Sequence, residues 1–319
     1  MAVMPAGPFL LKSGERMKME RTAYDVKLLL GRLCMRLVSE VPLDITDEVR
    51  VFCTDTESED ITVHIRVMRE KIRLPRYKCG EDLLLEYYYD EGCFIAAAKK
   101  GIKGSAAVTL YTPNFSEAAF YINEAEFPGI IRRVSKILQL FPIRQALAQH
   151  QAMILHSSRI LTRGKAIIFT APSQTGKTTQ ARLWKECENA EIVSNDRTLL
   201  QKNGQTFRTY GYPVDGSSPV YSSRELPLSS IVVLRQGVDN RTERLAAGKA
   251  LKYLMQETVA DVWNVEELAA MQNLWLDLLE EYPVYLLTCT PDWRAVQCLK
   301  EQLIKDGVIS SDINQRQTL

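Results

Sequence analysis

Histidine is scarce in this chain, with three copies in 319 residues. No His-Glu-x-x-His stretch occurs, which excludes the helix-borne zinc site of that pattern. The seven cysteines, Cys34, Cys53, Cys79, Cys93, Cys187, Cys289 and Cys298, are odd in number and contain no Cys-x-x-Cys pair. That spacing disfavours a disulfide framework and a structural zinc site, and it suits reduced thiols in a cytoplasm. No apolar run reaches the ~18 residues that span a bilayer, so no membrane partner is expected. The net charge is only +1, which argues against the basic footprint of a nucleic-acid binder. What remains is an ordinary globular composition, 46% hydrophobic and 25% charged, with room for two domains or one large one.

Residues 1–22 read as a loose leader. They are basic, and Pro5, Gly7 and Pro8 interrupt the apolar part, so the continuous apolar core of a secretory signal is missing. Residues 23–145 predict a smaller, β-rich antiparallel domain that ends in a helix. Ile61, Val63, Ile65 and Val67 alternate strictly with polar residues, the period of a half-buried strand. Between Asp82 and Asn123 follow β-rich runs, separated by the turn signals Asp90-Glu91-Gly92, Gly101–Gly104 and Pro113-Asn114, the pattern of an antiparallel meander. The run Val26–Val38 has an ambiguous period. After Pro128-Gly129 the period becomes helical, with Ile130, Val134, Ile137, Leu138 and Phe141 on one face. A second helical stretch runs from Ile143 to Gln151. Residues 146–310 then alternate strand and helix, the pattern of an α/β layer architecture with a mixed sheet. Expected strands are Ala166–Phe169, Glu191–Val193, Leu228–Leu234 and Val284–Thr288. Expected helices are Thr178–Cys187, Ala246–Gln256, Val265–Glu281 and Asp292–Lys305. Trp263, Trp275 and Trp293 fall in or beside helical runs and are expected to pack in the interior.

The stretch FTAPSQTGKTTQ, residues 169–180, carries the chemistry. Ala171-Pro172-Ser173-Gln174-Thr175-Gly176-Lys177-Thr178 matches the phosphate-loop pattern G-x-x-x-x-G-K-[ST] except at its first glycine. A buried strand precedes it and a helix follows. In such a loop the backbone N–H groups, through Thr179, point at phosphate oxygens, and the helix dipole adds to their field. Gly176 lets the chain approach the phosphates without a Cβ. Lys177 would reach the β- and γ-phosphates, and the Thr178 hydroxyl would ligate Mg²⁺. Gln174 is the larger departure, because a residue with a Cβ carries a strain of ~1 kcal/mol if φ must be positive there.

The wider run ILHSSRILTRGKAIIFTAPSQTGKTTQARLW, then AEIVSNDRTLL, TYGYPVDGSS and LPLSSIVVL, resembles the C-terminal kinase domain of HPr kinase/phosphorylase. It is similar also to the HPr-kinase-like proteins found near peptide-modifying enzymes, including lasso-peptide tailoring kinases. The resemblance covers roughly residues 150–305. His156 stands fifteen positions before Ala171, and the histidine, loop and acidic strand end follow in the family's order. Phosphoenolpyruvate carboxykinase shares the loop and acidic strand, but it is much longer and has an organic-acid-binding half for which this chain lacks room. The resemblance implies a P-loop kinase domain of this type, ATP and Mg²⁺ as cofactors, and a hydroxyl of a peptide or protein as acceptor. It also implies a homo-oligomer, since HPr kinase forms hexamers. Two positions depart from the pattern. Gln174 replaces a glycine, and the paired aspartates of HPr kinase are here Asn195-Asp196. Relatives with a single aspartate carry it in an N-D-R or G-D-R setting, which Asn195-Asp196-Arg197 fits.

Asp196 is thus either a Mg²⁺ ligand or proton acceptor, or a turn or capping aspartate. His156 either supports the acidic residue and the loop or is a satisfied core histidine. Arg197 faces the phosphates or makes a surface ion pair. Asp215 is a second candidate acid or a turn residue. Arg235, Arg241 and Arg244 flank a strand end and offer positive charge to a transferring phosphoryl group. His64 and His150 have no such context. A nucleotide-binding protein without turnover, and a small-molecule kinase, are the competing functional readings.

Overall fold

The computed structural model describes residues 24–101, 104–213 and 220–311. The expected leader and Val214–Ser217, Asp215 among them, lie outside the described residues. The chain divides into two units. One comprises Met1–His150 with Asp261–Glu267; the other comprises Gln151–Ala260 with the chain from Leu268 onward.

The first unit is built on strands β1 (Tyr24–Leu30), β2 (Leu33–Ser39), β3 (Ile61–Val67), β4 (Gly80–Glu81), β5 (Leu85–Asp90), β6 (Cys93–Ala98), β7 (Ala107–Tyr111) and β8 (Ala118–Ile122). Their order is β1-β2-β3-β8-β7-β6-β5-β4. The ambiguous run Val26–Val38 is a hairpin whose turn begins at Gly31, with φ +65°. Strands β4 to β8 form an antiparallel meander. The sheet as a whole is mixed, which corrects the antiparallel expectation: β2–β3 and β3–β8 run parallel. The physical reason is connection length. A parallel neighbour needs a crossover of a dozen or more residues, and the segment between β2 and β3, which holds helix α1 (Asp47–Arg50), supplies one. The expected helix from Ile130 to Phe141 is a 3₁₀ turn at Ile130–Arg132, an extended Arg133, then α2 (Val134–Leu140). Helix α3 (Ile143–Gln149) follows.

Residues Asp261–Glu267 add a polar knot to this unit. Asp261 is fully buried. Arg144 bridges its carboxylate to that of Asp82. The Tyr87 hydroxyl donates to Asp261 Oδ2 at 3.3 Å, and Gln145 Nε2 lies 3.4 Å from the same oxygen. The Trp263 ring packs on Tyr87 at 4.5 Å between centroids. A Cβ on Gly80 would collide with that indole. Glu267, also buried, accepts from the Asp261 backbone N–H. Burial and the neighbouring Asp261 charge push its carboxyl up to about 8.

The second unit holds β9 (Ala152–Thr162), β10 (Lys165–Thr170), α4 (Lys177–Glu188), β11 (Glu191–Ser194), β12 (Arg197–Asn203), β13 (Thr206–Tyr210), β14 (Leu226–Gln236), β15 (Arg241–Arg244), α5 (Ala247–Glu257), β16 (Thr258–Val259), α6 (Val265–Glu281) from Leu268 onward, β17 (Val284–Cys289) and α7 (Trp293–Lys305). Strands β10, β14 and β17 run parallel, while the other pairings are antiparallel, so the sheet is mixed as the sequence predicts. Alternation along the parallel strands builds two cores. Ile167 and Phe169 of β10, Val232 and Leu234 of β14, and Tyr285 and Leu287 of β17 meet Ala181 and Trp184 of α4 and Val296, Leu299 and Leu303 of α7. The intervening Ile168, Ile231, Val233, Val284 and Leu286 meet Ala250 and Leu254 of α5 and Leu274, Trp275 and Leu278 of α6. A strand buried on both faces reads as a continuous apolar run, which is why these three were visible in sequence. Trp275 is buried, but Trp293 is 59% exposed at the start of α7 and does not pack in the interior.

The Glu267 carboxyl generates a pH prediction. Its folded-state value lies above the ordinary 4.5, so its protonated form is the stable one in the fold. The stability it contributes is present below about 4.5 and is lost as pH rises toward about 8. Glu267→Gln keeps the shape and removes the titration. Melting temperatures measured across that window should fall less steeply for the variant than for the natural chain; parallel curves would show that Glu267 is not buried in this form.

Candidate functional site

Because β10, β14 and β17 are parallel, their carboxyl ends share one edge of the sheet. Gln236 of β14 stands in register with Cys289 of β17, and Thr170 of β10 with Val233 of β14. Residues Ala171–Gly176 leave that edge and turn into α4. The carboxyl edge is where open α/β sheets bind ligands.

The loop is shaped by three residues. Ala171 is fully buried in the core beneath α4 and α7, so a methyl group fits where the consensus has glycine. Gln174 has φ +64° and Gly176 φ +112°. The positive φ at Gln174 is the strained conformation that its sequence position raised, and the strain is on the order of 1 kcal/mol. Gln236 Nε2 lies 3.4 Å from the Gln174 carbonyl. Gly176 is the N-cap of α4 and carries no side chain to bond the first turn. The leading N–H groups of a twelve-residue helix therefore go uncapped at this edge, with the positive end of its dipole behind them. A Cβ added at Gly176 would touch nothing, so glycine is required there by φ and not by space.

Lys177 is buried. Its ammonium donates to the carbonyls of Ala171 at 2.7 Å and Pro172 at 3.2 Å. Burial lowers its pKa from the usual lysine value, and the charges of Glu257 and Asp196 oppose that shift. An open cleft of about 490 Å³ lies over the loop. Ser173, Gln174, Gly176, Lys177, Thr178 and Thr179 line one side, and His156, Asn195 and Asp196 line the other.

Strand β9 brings the two sides together. Its residues Ala152–His156 pair with β12, and Ser157–Thr162 pair with β10. The Ser157 N–H donates to the Asp196 carbonyl at 2.9 Å, and the Thr170 hydroxyl donates to the His156 carbonyl at 2.9 Å. His156 is thereby fixed between the strand that carries the loop and the turn that carries Asp196. Its Nε2 lies 3.6 Å from Asp196 Oδ1, and its Nδ1 lies 3.5 Å from Glu257 Oε2. Both separations are ion-pair distances just beyond a hydrogen bond.

The structure brings the candidates Asp196, His156 and Lys177 together with Ser173, Gln174, Gly176, Thr178 and Thr179 of the loop in one cleft. Among the other candidates, Arg197 lies outside the cleft lining, with Nε 3.7 Å from Asp196 Oδ2. Ala171, Pro172 and Thr175 shape the loop without lining the cleft. Arg235, Arg241 and Arg244 do not line it either, and Arg235 donates to the Tyr253 hydroxyl at 2.6 Å. Glu257 was missed. Nothing in Met255-Gln256-Glu257 marks it, because it reads as a helix end. The pairing of Thr258 in β16 with Leu155 in β9 puts it beside His156. Among the described residues no group of three or more His, Cys, Asp or Glu is arranged to hold a metal ion alone. The Thr178 hydroxyl and Asp196 carboxylate do suit Mg²⁺, an ion that keeps several waters and completes its shell with phosphate oxygens.

Comparison with known proteins bears on this geometry. Residues 129–292 match the family model described as SynChlorMet cassette protein ScmC. No curated protein sequence matches the chain. The structure of the HPr(Ser) kinase/phosphatase from Coxiella burnetii matches at 9% identity and a TM-score of 0.29, covering 48% of this chain and 98% of that one. At those values the likeness is too slight to bear on mechanism.

The buried ammonium leads to a second pH prediction. A lysine whose folded-state pKa is lowered loses its proton first in the folded state, so stability rises with pH from that lowered value up to the ordinary 10.5. Lys177→Met should flatten this rise relative to the natural chain in alkaline denaturation curves. An identical slope in both proteins would show that Lys177 is solvated.

Proposed function

The chain belongs to the family of the SynChlorMet cassette protein ScmC, and from that premise we propose that it is an ATP- and Mg²⁺-dependent phosphotransferase acting on a hydroxyl of a peptide or protein. One observation carries the reading. A strand–loop–helix with a buried lysine and an uncapped helix start faces a histidine flanked by two carboxylates across a single cleft.

Each residue has a task that its surroundings support. The first-turn N–H groups of α4 and the Lys177 ammonium would hold the phosphates of the nucleotide, and Thr178 with Asp196 would hold the metal. Bound ATP with Mg²⁺ supplies the phosphoryl group and the neutralisation of its charge. Asp196 accepts the acceptor's hydroxyl proton, for which a carboxylate at the cleft wall is chemically suited. His156, with Glu257 at its Nδ1, orients the Asp196 carboxylate. Chemistry of this kind depends mostly on positioning and charge stabilisation, which a cleft assembled by strand pairing provides.

A second reading, nucleotide binding without turnover, draws on the strained Gln174 and on the single carboxylate of Asn195-Asp196. Phosphate transfer to candidate peptides separates the two. Asp196→Asn should reduce transfer by about 10²–10⁴-fold, the usual contribution of a general base, and transfer equal to the natural chain would remove Asp196 from the chemistry. Lys177→Ala should abolish labelling by an ATP photoprobe, and unchanged labelling would take the loop out of the site. A mass gain of about 80 Da, one phosphoryl group, on peptides and not on metabolites identifies the acceptor class.

Glu257 has its own signature. Glu257→Gln should shift the pH profile of kcat while leaving the KM for ATP unchanged. A uniform loss at all pH values would mean that it only supports the fold.

A further inference from the structure

A second and larger cleft, of about 790 Å³, lies in the N-terminal unit along the segment that follows β3. The chain leaves the strand with the Met68 N–H still donating to the Ile122 carbonyl at 2.8 Å. Half-buried Met68, Ile72 and Leu74 then pack on a small core that includes Val108 of β7, forming an apolar floor. Arg69, Lys71 and Arg73 interleave with these residues and stay exposed. Lys100, beyond the end of β6, is a further exposed cation on the rim. Glu70 and Glu126 also line the cleft, so the rim carries four cations against two anions. Arg69 makes only a 3.8 Å exposed pair with Glu40. Among the described residues Lys71, Arg73 and Lys100 make no ion pair. An apolar floor beneath unpaired cations is uncommon on a surface that needs only solubility, where charges of both signs intersperse.

We propose that this cleft binds an extended peptide segment in which acidic side chains alternate with apolar ones. The apolar floor beneath the cations favours this ligand over a compact anion, which would use the charges alone. Arg69 and Lys71 flank a bend at the exposed Glu70, but Lys71 and Arg73 flank the half-buried Ile72, which on extended chain sets them roughly 7 Å apart at the backbone. They match carboxylates at alternate positions of an extended partner, whose intervening side chains reach the Met68, Ile72 and Leu74 floor. Recognition of this type takes specificity from alternate side chains in pockets and register from the charges. The inference goes beyond the phosphotransferase reading and does not depend on it, since no nucleotide enters the argument.

The test uses the full chain without nucleotide and a fluorescently labelled peptide that alternates glutamate with leucine. A lysine–leucine peptide of equal length is the control, and inorganic phosphate and phosphatidylserine vesicles are competitors. Saturable binding of the acidic peptide alone, weakened by added salt, is the expected result. Lys71→Glu/Arg73→Glu/Lys100→Glu should weaken it by at least about tenfold. Ile72→Gln, which leaves the charges in place, should weaken it as well. The salt series on the unaltered chain keeps the test decisive even if the charge-reversal variant does not fold. Absence of saturable binding, binding insensitive to salt, equal binding of the lysine–leucine peptide, or displacement of the peptide by phosphate or vesicles would each overturn the proposal.

Discussion

The backbone pairing of one long strand sets the geometry of the cleft. Strand β9 is eleven residues long and carries four neighbours: β10, β11, β12 and β16. Together they deliver three components. Strand β10 delivers the loop, the turn between β11 and β12 delivers Asn195-Asp196, and the pairing of β16 brings in Glu257, the last residue of α5. His156 sits where the pairing passes from β12 to β10. A slip of one residue along β9 would send every side chain to the opposite face. Such a slip is opposed by Leu155 and Ile160, which are fully buried in cores on opposite sides of the sheet. Precision in the cleft is thus borrowed from hydrophobic burial in the sheet.

The electrostatics of the cleft follow from that arrangement. The carboxylates of Asp196 and Glu257 both act on the buried Lys177 ammonium, and His156 stands between the same two carboxylates. The lysine is held on two loop carbonyls, which occupy two of its three donors, while burial lowers its pKa. Strain in the loop is small on this scale. A left-handed Gln174 costs about 1–2 kcal/mol, whereas one hydrogen bond to a charged group contributes about 1.5–3 kcal/mol. A single such bond to an anion at the α4 terminus outweighs the missing glycine, so the departure from consensus does not argue against phosphate binding.

Much of this was legible in the sequence wherever one periodicity held. Strand β3 was visible from strict alternation, β10 and β17 from short apolar runs, and α4, α6 and α7 from helical spacing with turn signals at their ends. The loop was legible from its own pattern, and the candidates His156 and Asp196 from the order that the resemblance to HPr kinase/phosphorylase implies. Strand β9 was not. Its sequence AMILHSSRILT buries Ser157, Ser158 and Arg159 along with its apolar residues, so neither template fits, and the sequence reading assigns it no element. The parallel pairings of β3 escaped because sequence shows strands and not their partners. The same limit hid Glu257, whose role is defined by what β16 pairs with. The packing of Asp261–Glu267 with the first unit was invisible for a similar reason, since its charged residues look like an ordinary helix approach.

The residues that break local rules fall into two kinds, and their partners distinguish them. Arg159 is fully buried, yet its guanidinium donates to Thr209 Oγ1 at 3.1 Å and to the Arg224 carbonyl at 3.3 Å. Asp261 is fully buried, yet Arg144, Tyr87 and Gln145 surround it. These anomalies are compensated inside the fold, and compensation of that sort is the mark of architecture. Gln174 differs. Its side chain is exposed, its backbone sits at positive φ, and a 3.4 Å contact with Gln236 is a weak return for the strain. Strain that the fold itself does not offset persists where the surroundings require that conformation for another purpose. Here the conformation turns the chain from the carboxyl edge of the sheet into the start of α4 and keeps its uncapped N–H groups on the cleft. Five other non-glycine residues, Glu91, Phe115, Gln151, Arg163 and Asn189, share a positive φ, but of these six Gln174 alone lines the cleft on which the proposed nucleotide binding rests.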